Sequence, residues 1–471
     1  MKLFKRLFVL ISLAAILQGC NTLAYTNSPQ LDDPPLSAGR ASFALEEDRG
    51  EHHKTLFVLA LSGGGSRAAY WSASSMLKLQ TLYQDLDMLA EVDAISAISG
   101  GSMSAAYYAI SADGENDPYF EMEKGKRPIW DESVKQAVTI NFLGRWFGNW
   151  FWPHNFLRFW FTAYDRTDIM AETLSDNLYD THSGHDFTLG EINPNRPNLI
   201  LNATISSGED YAKGFTYTKE DFHDYLCSNV DDYELARAVM SSASFPAAFN
   251  SMTLRSYGQP DQQGRCAALD ERAEKRYLHT IDGGTFDNLG LASGLRFLHE
   301  NDQDYERIVV ILIDAYAKPM GLSTTDPNPR SPLDYIIDTN FMDSVNALMD
   351  RNRSKVLSDM RNYAFRNAAE GKQTIFYHVT FESFNDEMRL EQGSDQSLKQ
   401  ALFEIPTSLS IDQAGKDAID AAVEQMFTPD NLCLQKIAGL LTGSAAPEFD
   451  TKFYTPNCLW TPPVNPQSAL L

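Results

Sequence analysis

Positive charge is scarce in this chain. Its 471 residues carry 39 lysines and arginines against 63 aspartates and glutamates, a formal net charge of −24. That balance argues against nucleic acid, or any anionic surface, as a partner held by bulk electrostatics. Cysteine is scarce as well. The five present include no C-x-x-C pair, and no Cys/His cluster has zinc spacing, so no zinc site is expected, and no metal or other cofactor is called for elsewhere. The N-terminal apolar run, Leu7 to Leu17, is broken only by Ser12 and is too short to cross a bilayer as a helix. No internal repeat is present. What remains is a 43% apolar chain, enough for a real core, of a length that holds one large domain or two ordinary ones.

The apolar run follows Lys2, Lys5 and Arg6 and therefore reads as a targeting signal. It ends in Leu17-Gln18-Gly19-Cys20, which resembles a bacterial lipobox. The resemblance implies that Cys20 is lipidated and becomes the mature N-terminus. Asn21 after it leans toward an outer-membrane anchor facing the periplasm. An ordinary secretory signal, with Cys20 incidental, is the alternative. Lipidation would leave Cys227, Cys266, Cys433 and Cys458, an even number in an oxidising compartment. Three pairings are open, and nearness along the chain favours Cys227 with Cys266 and Cys433 with Cys458. Free buried thiols are the other possibility.

Residues 21–54, with Pro29, Pro34, Pro35 and the acidic Glu46-Glu47-Asp48, suit a solvated tether. From Thr55 strands and helices alternate. Strands are expected at Thr55 to Leu61, Val92 to Ile98, Asn198 to Thr204, Leu278 to Ile281 and Ile308 to Ile313, and a last helix at Ile411 to Phe427. This predicts an α/β sandwich with a largely parallel central sheet, in a domain spanning 55–430 and followed by a tail, 431–471.

Three glycine-rich turns carry the candidate chemistry. Gly63-Gly64-Gly65 joins the first strand to the helix that begins near Arg67. A glycine loop there can aim free N–H groups and the positive end of a helix dipole at one anion. The second turn is Ala97-Ile98-Ser99-Gly100-Gly101, close to the G-x-S-x-G elbow that presents a nucleophilic serine on a sharp strand-to-helix turn. Ser102 occupies a rival frame but would lie inside the helix, and Ser99 could also be a plain N-cap. The third is Asp282-Gly283-Gly284 at the end of an apolar strand, where Asp282 is a candidate base or a simple turn residue. With a reference pKa of about 3.9 an aspartate serves a hydroxyl only if its surroundings raise that value or if transfer accompanies attack. None of the seven histidines from His154 to His378 sits in a local setting that marks it as a base. A P-loop is excluded because Ser66-Arg67 follows the glycines, and a Rossmann loop because Ala68 holds the last glycine's place.

Together, Gly63-Gly64-Gly65-Ser66-Arg67, Ser99 in its elbow, Ser241 to Phe249 ("SSASFPAAF") and Asp282-Gly283-Gly284 with Asp287-Asn288 resemble the patatin-like phospholipases. The resemblance runs from about Thr55 to Phe427. It departs at Ala97 and Ala68, where the family more often has glycine. It implies a three-layer sandwich and a Ser99–Asp282 dyad without histidine. It also implies an oxyanion hole of Gly63, Gly64 and Gly65 amides, with Arg67, Gly101, Gly283 and Gly284 in support. The implied activity is hydrolysis of phospholipid or lysophospholipid acyl esters. A general esterase or acyltransferase on the same site, a lipid-binding envelope protein and a histidine-triad hydrolase are the rival readings.

One segment stands apart. Asn141 to Tyr164 holds four of the seven tryptophans, several phenylalanines, Arg145 and Arg158, and no acidic residue. Pro153 should split it into two short helices lying on a bilayer, with Trp146, Trp150, Phe151 and Trp152 in contact with lipid. Burial in a core or a dimer contact is the alternative.

Overall fold

All seven residues of the strand Thr55–Leu61 are buried, as are all four of Ala94–Ala97. A strand covered on both faces needs a continuous apolar run instead of alternation, and these segments supply one. The two strands pair in parallel. On its other side Thr55–Leu61 pairs in parallel with Arg307–Asp314, which pairs in parallel with Gln373–Thr380. Cys458–Thr461 closes that edge antiparallel. Helix Gly65–Thr81 packs with Gln413–Met426, joined by a 2.9 Å hydrogen bond from Tyr70 to Asp420 and a 2.7 Å ion pair of Lys78 with Glu424. Leu291–Asn301, backed by Asn340–Ala369, packs on the first two strands. The fold is the expected three-layer α/β sandwich around a mixed, largely parallel sheet.

The computed structural model describes residues 24–30, 39–45, 54–122, 125–181, 183–246, 248–266, 274–317, 340–389, 396–443 and 457–461. The targeting signal and Cys20 lie outside them. The chain forms two compact units, residues 1–43 with 106–282 and residues 44–105 with 283–471, so the region expected as one domain contributes to both. The elements above belong to the second. In the first, Asn198–Ile205 pairs antiparallel with Gly214–Thr216 and with Arg276–Asp282, which also pairs antiparallel with Met252–Ser256. Helix Leu235–Ser242 packs on Asn198–Ile205 and Arg276–Asp282. Each unit holds one disulfide, Cys227–Cys266 and Cys433–Cys458, the pairing that chain proximity favours. No helix among the described residues is long and apolar enough to cross a membrane.

The described stretches of both terminal regions are ordered. Within 21–54, Ser28–Pro29 pairs antiparallel with Ser228–Asn229, and buried Asn27 bonds Ser228 Oγ and both the amide and carbonyl of Arg255. Ala41, Ser42 and Phe43 are buried, and the Phe43 amide donates to Glu220. These stretches satisfy backbone groups that would otherwise be left open, so they are not tether. Within 431–471, Leu432–Thr442 is a helix capped by the Asn431 side chain, and Cys458–Thr461 is the sheet's edge strand. That part of the expected tail completes the fold.

Candidate active site

Ser99 has φ +50°, a left-handed conformation that an L-residue with a Cβ adopts only under constraint. The constraint is visible on both sides. The Ile98 amide is bonded to the Leu61 carbonyl at 3.1 Å, and the Gly101 and Ser102 amides close the turn on the Ile98 and Ser99 carbonyls. Helix Gly100–Ile110 starts immediately afterwards. This strand–turn–helix leaves Ser99 half-exposed, whereas Ser102 is fully buried inside the helix. Of the two frames, only that of Ser99 presents a hydroxyl on such a turn.

The glycine loop is pressed against this elbow. A methyl on Gly63 would stand 3.2 Å from Ser99 Cβ and collide with the Asn288 side chain. One on Gly100 would enter the Gly65 carbonyl, and one on Gly101 would lie 2.7 Å from the Ser62 carbonyl. Gly64 (φ +144°) and Gly65 (φ +61°) hold conformations that glycine alone takes without strain. The three amides differ in a way the sequence does not reveal. The Gly63 amide donates to the Asn288 carbonyl at 3.0 Å and is therefore occupied, which corrects the expectation of three free donors. Those of Gly64 and Gly65 donate to no protein acceptor among the described residues. Both glycines are half-exposed and open the helix Gly65–Thr81. Two unsatisfied N–H groups at a helix N-terminus, beside a strained serine, suit a negative charge developing on a bound carbonyl.

Arg67 is buried beneath the loop. Its guanidinium donates to the Ile405 carbonyl at 2.6 Å and to Thr407 at 3.1 Å, while the Ser66 amide reaches the Ser408 carbonyl at 2.8 Å. Burial lowers its pKa to about 10, with Asp314 opposing, and its contacts are those of a brace. The 405–408 segment, invisible as a motif, is thus what holds the loop from outside. Asp287 is buried and accepts from the amides of Leu289 and Ala292, ordering the start of helix Leu291–Asn301. Its pKa is raised by burial, which those amides resist. The Asp287-Asn288 pair therefore serves architecture: one caps a helix, the other anchors Gly63.

Asp282 closes the first unit. It is buried at the end of its strand, its amide donating to the Ser244 carbonyl at 3.2 Å and its carbonyl accepting from Thr204 at 3.0 Å. Ser241 meets Thr280 of the same strand at 2.7 Å. Ser241 and Ser244 thereby hold the strand end that carries Asp282. Gly283 and Gly284, which follow, form a buried 3₁₀ turn with Thr285 in the second unit. The structure thus brings Ser99, Gly63 to Gly65, Arg67 and Gly101 together in one unit.

The described histidines of the unit that carries Ser99 have structural settings. His378 is buried with Nε2 2.8 Å from Asp314, which also receives Arg353 at 2.8 Å. Burial pushes the Asp314 pKa up, but the hydrogen bond from His378 and the charge of Arg353 outweigh it and hold it at about 2. His299 packs edge-on against Tyr363. No group of three or more metal-ligating side chains occurs among the described residues.

A family model described as Patatin-like phospholipase matches residues 59–294. No curated protein matches. Among solved structures, human GIVD cytosolic phospholipase A2 is 14% identical over 58% of this chain and 45% of its own, with a TM-score of 0.36. The same protein in complex with methyl gamma-linolenyl fluorophosphonate inhibitor and terbium chloride is 14% identical over 84% and 60%, with a TM-score of 0.39. VipD from Legionella pneumophila is 14% identical over 60% and 54%, with a TM-score of 0.24. The chain thus spans between 45% and 60% of the length of these structures.

Proposed function

The chain belongs to the patatin-like phospholipase family, and from that premise we propose that it is a serine acyl hydrolase of phospholipid or lysophospholipid esters, with Ser99 as nucleophile and Asp282 as base. The observation that carries the reading is the left-handed Ser99, half-exposed beside two amides without a protein acceptor. Ser99 Oγ attacks the acyl carbonyl carbon as its proton passes to Asp282. The oxyanion is received by the Gly64 and Gly65 amides, each donor worth about 3–4 kcal/mol in the transition state. Collapse breaks the ester bond, and the departing alcohol takes the proton from Asp282. Water then attacks the acyl-Ser99 ester, Asp282 again accepting and returning a proton, and a fatty acid leaves. No cofactor enters these steps. The engagement of His378 with Asp314 supports a base other than histidine.

The N-terminal Leu17-Gln18-Gly19-Cys20 supports attachment through lipid on Cys20, in a bacterial envelope and at the outer membrane facing the periplasm. The testing experiment is a panel of phospholipids, lysophospholipids and short-chain esters given to wild type and Ser99→Ala. Hydrolysis by wild type alone is expected. Equal hydrolysis by both would overturn the nucleophile, and acyl transfer to added alcohol in place of release to water would make the chain an acyltransferase.

A further inference from the structure

The segment Asn141 to Tyr164 does form two nine-residue helices, Phe142–Trp150 and Pro153–Phe161, with Pro153 opening the second. What the sequence could not show is which way they face. The first helix buries Phe142 and Trp146 inside its unit, Trp146 donating from Nε1 to the Arg166 carbonyl at 3.0 Å and packing edge-on against Phe249. Trp146 is therefore core, not a lipid contact, and Trp150 is half-buried. The same helix leaves Leu143 and Phe147 exposed.

The second helix is inverted. Its inward positions are largely polar: Asn155 is buried, bonding the Asn149 carbonyl, Arg158 pairs with Glu172 at 2.9 Å beneath the Tyr164 ring, and only Phe159, half-buried against Trp150, is apolar. Its outward positions, with those of the linker before it, are Phe151, Trp152, Phe156, Leu157, Trp160 and Phe161. Phe151 is 72% exposed and Trp160 64%. Eight of the sixteen large apolar side chains exposed among the described residues fall between Leu143 and Phe161. A soluble helix places its apolar stripe inward. One whose inward face is mostly Asn155 and Arg158 leaves most of its apolar side chains for another medium.

We infer that this outward aromatic face is a docking surface for a lipid bilayer. Each helix rises about 13 Å, against a hydrocarbon core of about 30 Å, so the pair can lie in the interface but not cross it. Tryptophan and phenylalanine are the side chains that rest at head-group depth. The segment has no acidic residue in a chain of charge −24, so its own side chains add no negative charge against approach to a head-group layer. Both arginines are engaged within the unit, Arg145 on Asn177 at 2.5 Å and Arg158 on Glu172. Arg158 is neutralised by Glu172 and the outward face itself is apolar, so the attraction is mainly apolar, with exposed Arg145 the one charge beside it. The inference stands apart from the catalytic assignment, since none of these residues belongs to the proposed machinery.

The test uses the full chain with Cys20→Ser, so that no lipid anchor masks the surface, and phosphatidylcholine vesicles in a flotation assay. The background protein should float with vesicles, about equally at about 0.1 and about 1 M salt, because screening removes only charge-driven binding. Adding Phe151→Ser, Trp152→Ser, Trp160→Ser and Phe161→Ser should lower the partition at least about tenfold. Melting temperature and hydrolysis of a soluble short-chain ester should stay at the background level, which separates this loss from misfolding and from failure of the catalytic reading. Vesicle binding unchanged by the four substitutions, or abolished by salt, would overturn the inference. So would a background protein that is dimeric and vesicle-free while the quadruple variant is monomeric, since the face would then be a contact between copies.

Discussion

Two substitutions of Ser99 separate its chemistry from its conformation. Ser99→Ala and Ser99→Gly both remove the hydroxyl and any hydrogen bond it makes, so each should abolish ester hydrolysis. They differ only at Cβ. At φ +50° the Cβ of an L-residue costs roughly 1–2 kcal/mol, which glycine does not incur. Against this, glycine loosens the unfolded chain by about 0.4–1 kcal/mol. The balance lies between about 0 and 1.6 kcal/mol and centres at ~0.8 kcal/mol, so Ser99→Gly should be more stable than Ser99→Ala, although glycine is ordinarily the destabilising choice. Urea titrations of both variants, followed by tryptophan fluorescence, measure the difference directly. A glycine variant equal to or less stable than the alanine variant would refute the claim that this turn stores strain, and with it the observation on which the nucleophile rests.

Asp282→Asn should abolish hydrolysis while Ser102→Ala retains it, and an alkyl fluorophosphonate should label Ser99 alone, as read by peptide mass spectrometry. Gly65→Ala puts a methyl into the Ser408 carbonyl at a position of φ +61°, so activity should fall at least about 10²-fold in a steady-state ester assay, the size of losing one oxyanion donor. Cys433→Ser with Cys458→Ser opens a loop spanning 25 residues and should cost about 3 kcal/mol, measured by urea titration under non-reducing conditions. Asp314, held at about 2 by His378 and Arg353 against its burial, has a depressed folded pKa. Its stabilising effect is present above the ordinary aspartate value of about 3.9 and is lost as pH falls through about 2. Stability between pH 4 and 2 should therefore fall less steeply in Asp314→Asn than in wild type, as followed by circular dichroism.

The three glycine turns were legible in the sequence because their demands are local. A left-handed turn, a close backbone approach and a buried parallel strand each impose residue types within a few positions. Thus Ser99, Gly64 and Gly65 could be named from order alone, and the strand Thr55–Leu61 could be bounded to the residue. The two disulfides followed from chain proximity. Tertiary structure decided whatever depends on residues distant in the chain. That the Gly63 amide is occupied follows from Asn288, and that Arg67 is a brace follows from Ile405 and Thr407. Order at Asn27, Phe43 and Cys458–Thr461 comes from open strand edges and buried faces supplied by the rest of the fold, which proline-rich composition cannot reveal. The aromatic segment is the clearest case. Both helices carry an apolar stripe at helical spacing, but the stripe alone does not say whether it faces the unit or the outside. Only the neighbours, Phe249 and the Arg166 carbonyl for Trp146 and Glu172 for Arg158, determine that Trp146 turns in and Phe151 turns out.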